Sequence, residues 1–186
     1  LCILHDPIIN LKDIKILNNS KINIDDKIKD VVENKKFLLS IGRFTKQKNF
    51  LFYAKCIPEI INLDKDLYFL FIGEGELKLE FLEIVKKLNI SDKVLTINYT
   101  NNVNYFMKKS KALVVTSLWE DPGFVIVEAG YNNCQVISSN CPNGPSEIID
   151  KDGGYLFESN SKKDFLKTIK LFLNEKKNSK KKERLH

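Results

Sequence analysis

Glu120 and Glu128 stand eight residues apart on either side of Pro122-Gly123, in the run Trp119-Glu120-Asp121-Pro122-Gly123-Phe124-Val125-Ile126-Val127-Glu128-Ala129-Gly130. A Pro-Gly pair ahead of an apolar run opens a helix, because proline pre-sets one backbone angle and needs no N–H partner. The backbone N–H groups of Gly123, Phe124 and Val125 then lie at a helix start, where unpaired donors and the helix dipole favour an anion. Glu128 falls one to two turns inside that helix, within reach of neutral hydroxyls beside the anion. Glu120 stays on the loop, so a loop acid and a helix acid can face one ligand. Upstream, Gly42-Arg43-Phe44-Thr45-Lys46-Gln47-Lys48-Asn49 follows the apolar run Phe37 to Ile41. Gly42 lets the chain leave a strand sharply, and Arg43 and Lys48 stand on the following loop and at the start of the next helix. Two cations above a strand end suit a diphosphate, Arg by binding two oxygens at once and Lys as a compact point charge. Alone, an Arg-x4-Lys reads as an ordinary solvated loop; its weight comes from the pairing with the second motif.

The elements that must hold these motifs alternate. Short, β-branched apolar runs cover Phe37 to Ile41, Leu67 to Ile72, Val94 to Ile97, Ala112 to Thr116, Val136 to Ser138 and Tyr155 to Phe157. Runs this uniformly apolar predict strands covered on both faces. Helical spacing of apolar residues covers Phe50 to Ile61, Leu77 to Leu88, Asn102 to Lys109, Phe124 to Tyr131 and Phe165 to Leu173. The βαβα order predicts an α/β, Rossmann-like doubly wound parallel sheet, whose ligand site lies beyond the carboxyl ends of the strands. Each motif falls at such an end. Residues 1–35 read as a linker and N-terminal extension, with 8 to 36 wandering over the surface; 36–175 read as the folded domain. Residues 176–186 read as a basic tail too polar to pack, and so disordered.

The 186 residues suffice for one domain with its own core, and 43% hydrophobic with 29% charged residues is an ordinary soluble balance. No apolar run approaches the roughly 18 residues that a membrane span needs. Leu1 to Pro7 carries no charged, apolar, small-residue leader and reads as the interior of a longer chain. The net charge of +6 is not spread evenly: residues 162–186 hold nine Lys and one Arg against Asp164, Glu175 and Glu183, a net +7, which leaves the rest at −1. A neutral body with a basic tail excludes nucleic acid as the partner of the folded domain. Cys2, Cys56, Cys134 and Cys141 show no C-x-x-C spacing and there are two histidines, so no metal site is expected.

The run Glu120 to Ala129 resembles the E-x7-E signature of retaining glycosyltransferases of the GT-B fold, in particular family 4, whose usual form reads E-G-F-G-x-x-x-x-E-A. The octet from Gly42 resembles the same family's G-R-x-x-x-x-K-G. A third stretch, Ser138-Ser139-Asn140-Cys141-Pro142-Asn143-Gly144-Pro145-Ser146-Glu147-Ile148, resembles its C-P-x-G-P-x-E-I variant. Two departures stand out. Asn49 replaces the usual Gly, which asparagine's tolerance of unusual backbone angles allows. Asp121-Pro122 replaces Gly-Phe, which removes one N–H donor and leaves donor-sugar preference unassigned.

The resemblance covers about residues 36 to 175 and implies the C-terminal, donor-binding half of such an enzyme. It implies a nucleotide diphosphosugar as partner, a UDP-sugar ahead of a GDP-sugar, with Gly42, Arg43, Lys48, Pro122, Gly123, Phe124, Val125 and Glu128 binding it. Glu128 would hold the ribose, Glu120 would sit near the transferred sugar, and Glu120, Arg43 and Lys48 would carry catalysis. It implies no cofactor and no metal, the two cations and the helix start doing the work of a cation. An acceptor glycan or lipid-linked sugar would be met through an N-terminal domain absent from this chain, in surface polysaccharide, lipopolysaccharide or other glycan assembly; the half alone would turn over nothing. Gly73-Glu74-Gly75 is expected to make a tight strand exit, Asn98-Tyr99-Thr100 to lie near the base, and Cys141 to have no catalytic role. A nucleotide-sugar 2-epimerase and a non-catalytic nucleotide-sugar binding module stay open as alternatives. The location implied is cytoplasmic, with peripheral contact of the lysine-rich tail at the inner face of the cell membrane left open.

Overall fold

The computed structural model describes residues 24–121, 123–149 and 153–175. Six strands form one sheet: β1 (Lys36–Ile41), β2 (Leu67–Ile72), β3 (Val94–Ile97), β4 (Ala112–Val115), β5 (Val136–Asn140) and β6 (Gly154–Glu158). The spatial order is β3-β2-β1-β4-β5-β6, with every pairing parallel. Side chains alternate between the two faces with the strand period of two. Leu38, Phe69, Phe71, Val114 and Ile137 enter one core, and Phe37, Leu39, Leu70, Leu113 and Val136 enter the other. Both cores need a helical cover, which is why the strands read as unbroken apolar runs.

On the first face lie α2 (Phe50–Leu63), α3 (Lys78–Lys87) and α7 (Lys162–Glu175); on the second lie α1 (Asp26–Asn34), α4 (Val103–Lys109) and α5 (Phe124–Tyr131). A short α6 (Pro145–Ile148) follows β5. The first core is an aromatic cluster in which Phe71 meets Phe81 at 4.7 Å and Phe44 meets Phe50 at 5.0 Å, both edge to face. Such pairs add about 0.5–1.5 kcal/mol each beyond the area they bury.

One stretch departs from the sequence expectation. Residues 8 to 36 were expected to wander over the surface, yet Asp26 to Asn34 form a helix. The Asp25 carboxylate caps it by accepting from the Lys27 backbone N–H at 2.8 Å. Ile24, Ile28, Val31 and Val32 share one helical face and pack into the second core. Glu33 then ties this helix to α4, accepting from the Lys109 ammonium at 2.8 Å and from the Tyr105 hydroxyl. Residues 1–23, the greater part of the stretch read as linker and N-terminal extension, lie outside the described residues, as does the basic tail 176–186.

Candidate functional site at the ends of β1 and β4

The strand order reverses between β1 and β4, so the loop after β1 runs to α2 on one face and the loop after β4 runs to α5 on the other. Diverging loops leave a crevice beyond the two strand ends. The ladder stops early to open it: β1 and β4 pair only at Leu38 with Ala112 and Leu39 with Leu113. Hydroxyls then take over from backbone bonds. Ser40 Oγ donates to the Val114 carbonyl at 2.8 Å, and Thr116 Oγ1 donates to the Lys48 carbonyl at 2.8 Å.

The loop after β1 is held from beneath. Phe44 is buried among the aromatics, while its backbone N–H donates to the Glu74 carbonyl at 2.8 Å and its carbonyl accepts from the Leu77 N–H at 2.9 Å. Gly73 explains how the β1 and β2 exits come so close. A Cβ there would stand 2.0 Å from the Gly42 carbonyl oxygen, so Gly73 and Gly75 serve backbone-to-backbone contact as well as the tight turn. With Phe44 plugged inward, Arg43 is exposed and pairs with no carboxylate among the described residues. Asn49 adopts the left-handed conformation, φ 55°, at the N-terminus of α2, the geometry that its replacement of glycine requires.

Lys48 crosses from this loop to the next. Its stem lies against Gly42 and its Nζ reaches both Glu120 oxygens at 2.7 and 2.8 Å. Glu120 also accepts from Ser117 Oγ at 2.5 Å, and its backbone N–H donates to the Pro142 carbonyl at 3.1 Å, which brings the loop after β5 into the cluster. Glu120 is only 3% exposed. The sequence did not disclose this pairing: a carboxylate taken this far from water persists because an ammonium and a hydroxyl compensate it. Arg43 has no carboxylate partner among the described residues, and Lys48 presents its charge from a neutralised pair.

Gly123 adopts φ 82° at the N-terminus of α5 and offers no side-chain cap, so the first-turn N–H groups of Phe124 and Val125 face outward from the helix start. Pro122 lies outside the described residues. One turn on, Glu128 is half-buried, and desolvation raises its carboxyl above the usual carboxylate range. Gly42, Arg43, Lys48, Glu120, Gly123, Phe124, Val125 and Glu128 therefore belong to the two loops and the helix that border a single crevice. Sequence reasoning missed Ser117, Ser139 and Gln47. Ser139 Oγ donates to the Ser117 carbonyl at 2.6 Å, and Gln47 exchanges two hydrogen bonds with the 118–119 backbone. Ser117 follows β4 closely, Ser139 lies near the end of β5 and Gln47 sits on the loop after β1, and a polar residue at such places carries no other signal. Cys141 is buried and its thiol is pushed up by desolvation, against a nucleophilic role. Among the described residues no group of three or more His, Cys, Asp or Glu is arranged to hold a metal ion.

The profile of the glycosyl transferases group 1 family matches residues 21–185. The chain belongs to the glycosyl transferases group 1. This group 1 chain is 32% identical, over 157 residues, to the N-acetylgalactosamine-N,N'-diacetylbacillosaminyl-diphospho-undecaprenol 4-alpha-N-acetylgalactosaminyltransferase of Campylobacter jejuni, covering 83% of this chain and 42% of that protein. It is 28% identical to the UDP-Gal:alpha-D-GlcNAc-diphosphoundecaprenol alpha-1,3-galactosyltransferase of Escherichia coli, covering 81% of this chain and 40% of that one. The chain thus spans about two fifths of the length of these relatives. Among solved structures, a Staphylococcus aureus TarM variant in complex with fondaparinux, alpha-GlcNAc-glycerol and UDP superposes with a TM-score of 0.71 at 25% identity, over 75% of this chain and 29% of that one. The C-terminal domain of LpcC, a group 1 glycosyl transferase from Francisella tularensis, superposes with a TM-score of 0.68 at 21% identity, over 83% of this chain and 84% of that one. The group 1 chain described here accordingly shares the Rossmann-like fold of GT-B glycosyltransferases, including that of a C-terminal domain solved by itself.

Proposed function

We propose that this domain binds a nucleotide diphosphosugar, a UDP-sugar in preference to a GDP-sugar, and serves as the donor half of a retaining glycosyltransferase. The observation that carries the reading is the meeting, at the β1/β4 switch point, of the Arg43 and Lys48 loop with the uncapped start of α5. A diphosphate in the crevice finds cations on one wall and backbone N–H groups of Phe124 and Val125 on the other. Glu128, inside the same helix, accepts hydrogen bonds from the ribose hydroxyls. When the bond from the anomeric carbon to the diphosphate oxygen breaks, the charge left on the diphosphate is met by groups already in place, without a metal ion. Glu120 holds Lys48 and lies beside the position of the transferred sugar.

For the acceptor we propose a lipid-linked sugar, presented by a further domain that closes over the crevice and excludes water, in the cytoplasm at the inner face of the cell membrane. Support comes from the diphospho-undecaprenol named in both relatives and from the UDP named in the E. coli enzyme and in the TarM complex. No helix among the described residues is long and apolar enough to cross a membrane; the lysine-rich residues 176–186 are the part of this chain suited to peripheral contact with anionic headgroups.

Calorimetric titration of the chain with UDP, GDP and ADP tests the reading, beside an Arg43→Ala/Lys48→Ala double variant and a Glu128→Ala variant. Selective binding of UDP, lost in both variants, is the expected result. A folded chain that binds none of the three, or whose binding is indifferent to both variants, overturns it.

A further inference from the structure

The Lys48–Glu120 pair does not hold itself. Glu120 lies three residues beyond Ser117, and Ser117 is wholly buried, its hydroxyl 2.5 Å from Glu120 Oε1. The carbonyl of the same serine accepts from Ser139 Oγ, itself wholly buried, at 2.6 Å. Ser117 therefore joins two loops and a strand: through Glu120 it reaches Lys48 on the loop after β1, from its own place after β4, and through Ser139 it is seated on β5. A buried hydroxyl can donate one hydrogen bond, and this one is spent on a carboxylate, a charge-assisted bond stronger than a neutral pair. Lys48 is otherwise a long, rotamer-rich side chain whose ammonium would sample many positions at a cost on ligand binding.

We propose that Ser117 is a positioning residue of the donor site. It fixes the Glu120 carboxylate and, through it, the Lys48 ammonium, so that one cationic wall of the crevice is set before any ligand arrives. The inference rests on the donor-site reading for its effect on nucleotide affinity, while the clamp itself can be read in the unliganded chain.

Two measurements on the 186-residue chain test it. The first is the proton–nitrogen correlation of the Lys48 ammonium in the unliganded protein, assigned by its loss in Lys48→Ala and slowed in water exchange by its two bonds to Glu120. Ser117→Ala should broaden that signal while the backbone amide spectrum of the sheet is retained; an unchanged ammonium signal overturns the proposal. The second is a double-mutant cycle on UDP affinity. Ser117→Ala should weaken UDP binding about tenfold, the loss of one hydrogen bond to a charged group. The same change in a Glu120→Ala background should shift it less than about twofold, because Ser117 acts only through Glu120. An equal loss in both backgrounds marks a merely structural role and overturns the proposal. Should Ser117→Ala fail to fold, Ser139→Ala takes its place: it leaves the hydroxyl, removes the seat beneath it, and should broaden the same ammonium signal. If the wild-type chain binds no nucleotide, the donor reading fails and the ammonium signal alone upholds or overturns the role of Ser117.

Discussion

Lys48 Nζ lies 2.7 Å from Glu120 Oε1 and 2.8 Å from Oε2, although the two residues are 72 positions apart in the chain. The pair is largely out of water, with side-chain exposures of 17% and 4%. Its attraction is offset by desolvation, so the pair adds little net stability, whereas removing one partner strands the other. Lys48→Ala leaves a buried carboxylate with one hydroxyl, and is expected to cost about 3–5 kcal/mol in urea denaturation. Lys48→Met/Glu120→Leu should lie nearer to wild type in stability than Lys48→Ala does, while abolishing nucleotide binding. A single variant as stable as wild type would mean that the pair is absent in solution.

Two glycines give opposite predictions. At Gly73, with φ 145°, a methyl group would stand 2.0 Å from the Gly42 carbonyl oxygen. Gly73→Ala must force the β1 and β2 exits apart. It should cost more than about 1 kcal/mol from the backbone angle alone, with the overlap adding to it, and weaken UDP binding by displacing the Arg43 loop. Gly130, near the end of α5, has nothing within 4 Å of the added methyl. Gly130→Ala should stabilise by about 0.5–1 kcal/mol. Thermal melts of both variants check the pair, and a stable Gly73→Ala would contradict the close contact.

The raised carboxyl of Glu128 makes a pH prediction. Its ordinary value is 4.5, and burial raises it in the folded state. Between the ordinary and the raised value the folded chain holds a proton that the unfolded chain has lost, so this group's contribution to stability falls as pH rises through that window. Above the window the penalty is complete. Glu128→Gln should therefore gain stability relative to wild type above the window and lose that advantage below it, in chemical denaturation followed against pH. The same variant should weaken nucleotide binding, since an amide is a poorer acceptor for two ribose hydroxyls than a carboxylate. A pH-independent difference would remove burial as the cause.

Cys56, Cys134 and Cys141 are buried free thiols. Burial pushes Cys56 up to about 12 and raises Cys141 as well, so neither offers a thiolate at neutral pH. Iodoacetamide at pH 7.5 should label these three positions only after denaturant is added, as counted by intact mass. Cys141→Ser should leave UDP affinity within about twofold, since the sulfur contributes no charge to the crevice. Rapid native labelling at Cys141 would show that the loop after β5 opens far more than this structure has it.

The parallel α/β architecture was written in the chain, because unbroken apolar strands and amphipathic helices are local patterns repeated across it. Leu67 to Ile72, Val94 to Ile97 and Phe124 to Tyr131 were legible residue for residue. So was the left-handed turn at Asn49, since few other residues tolerate that angle. The helix from Asp26 was not read, because the surrounding Asn, Lys and Asp obscured the spacing of Ile24, Ile28, Val31 and Val32. What the chain could not disclose was pairing. Nothing local says that Glu120 turns inward to Lys48, that Ser117 and Ser139 stand beneath it, or that Gly73 touches Gly42. A serine after a strand carries no periodicity, and a carboxylate on a loop reads as solvated until a cation from a distant loop meets it. Sequence determined which motifs follow a strand and so stand at the strand ends, because strand and motif adjoin in the chain. Only the folded arrangement of three loops decided which of them hold one another, because that depends on distances between segments that the chain separates widely.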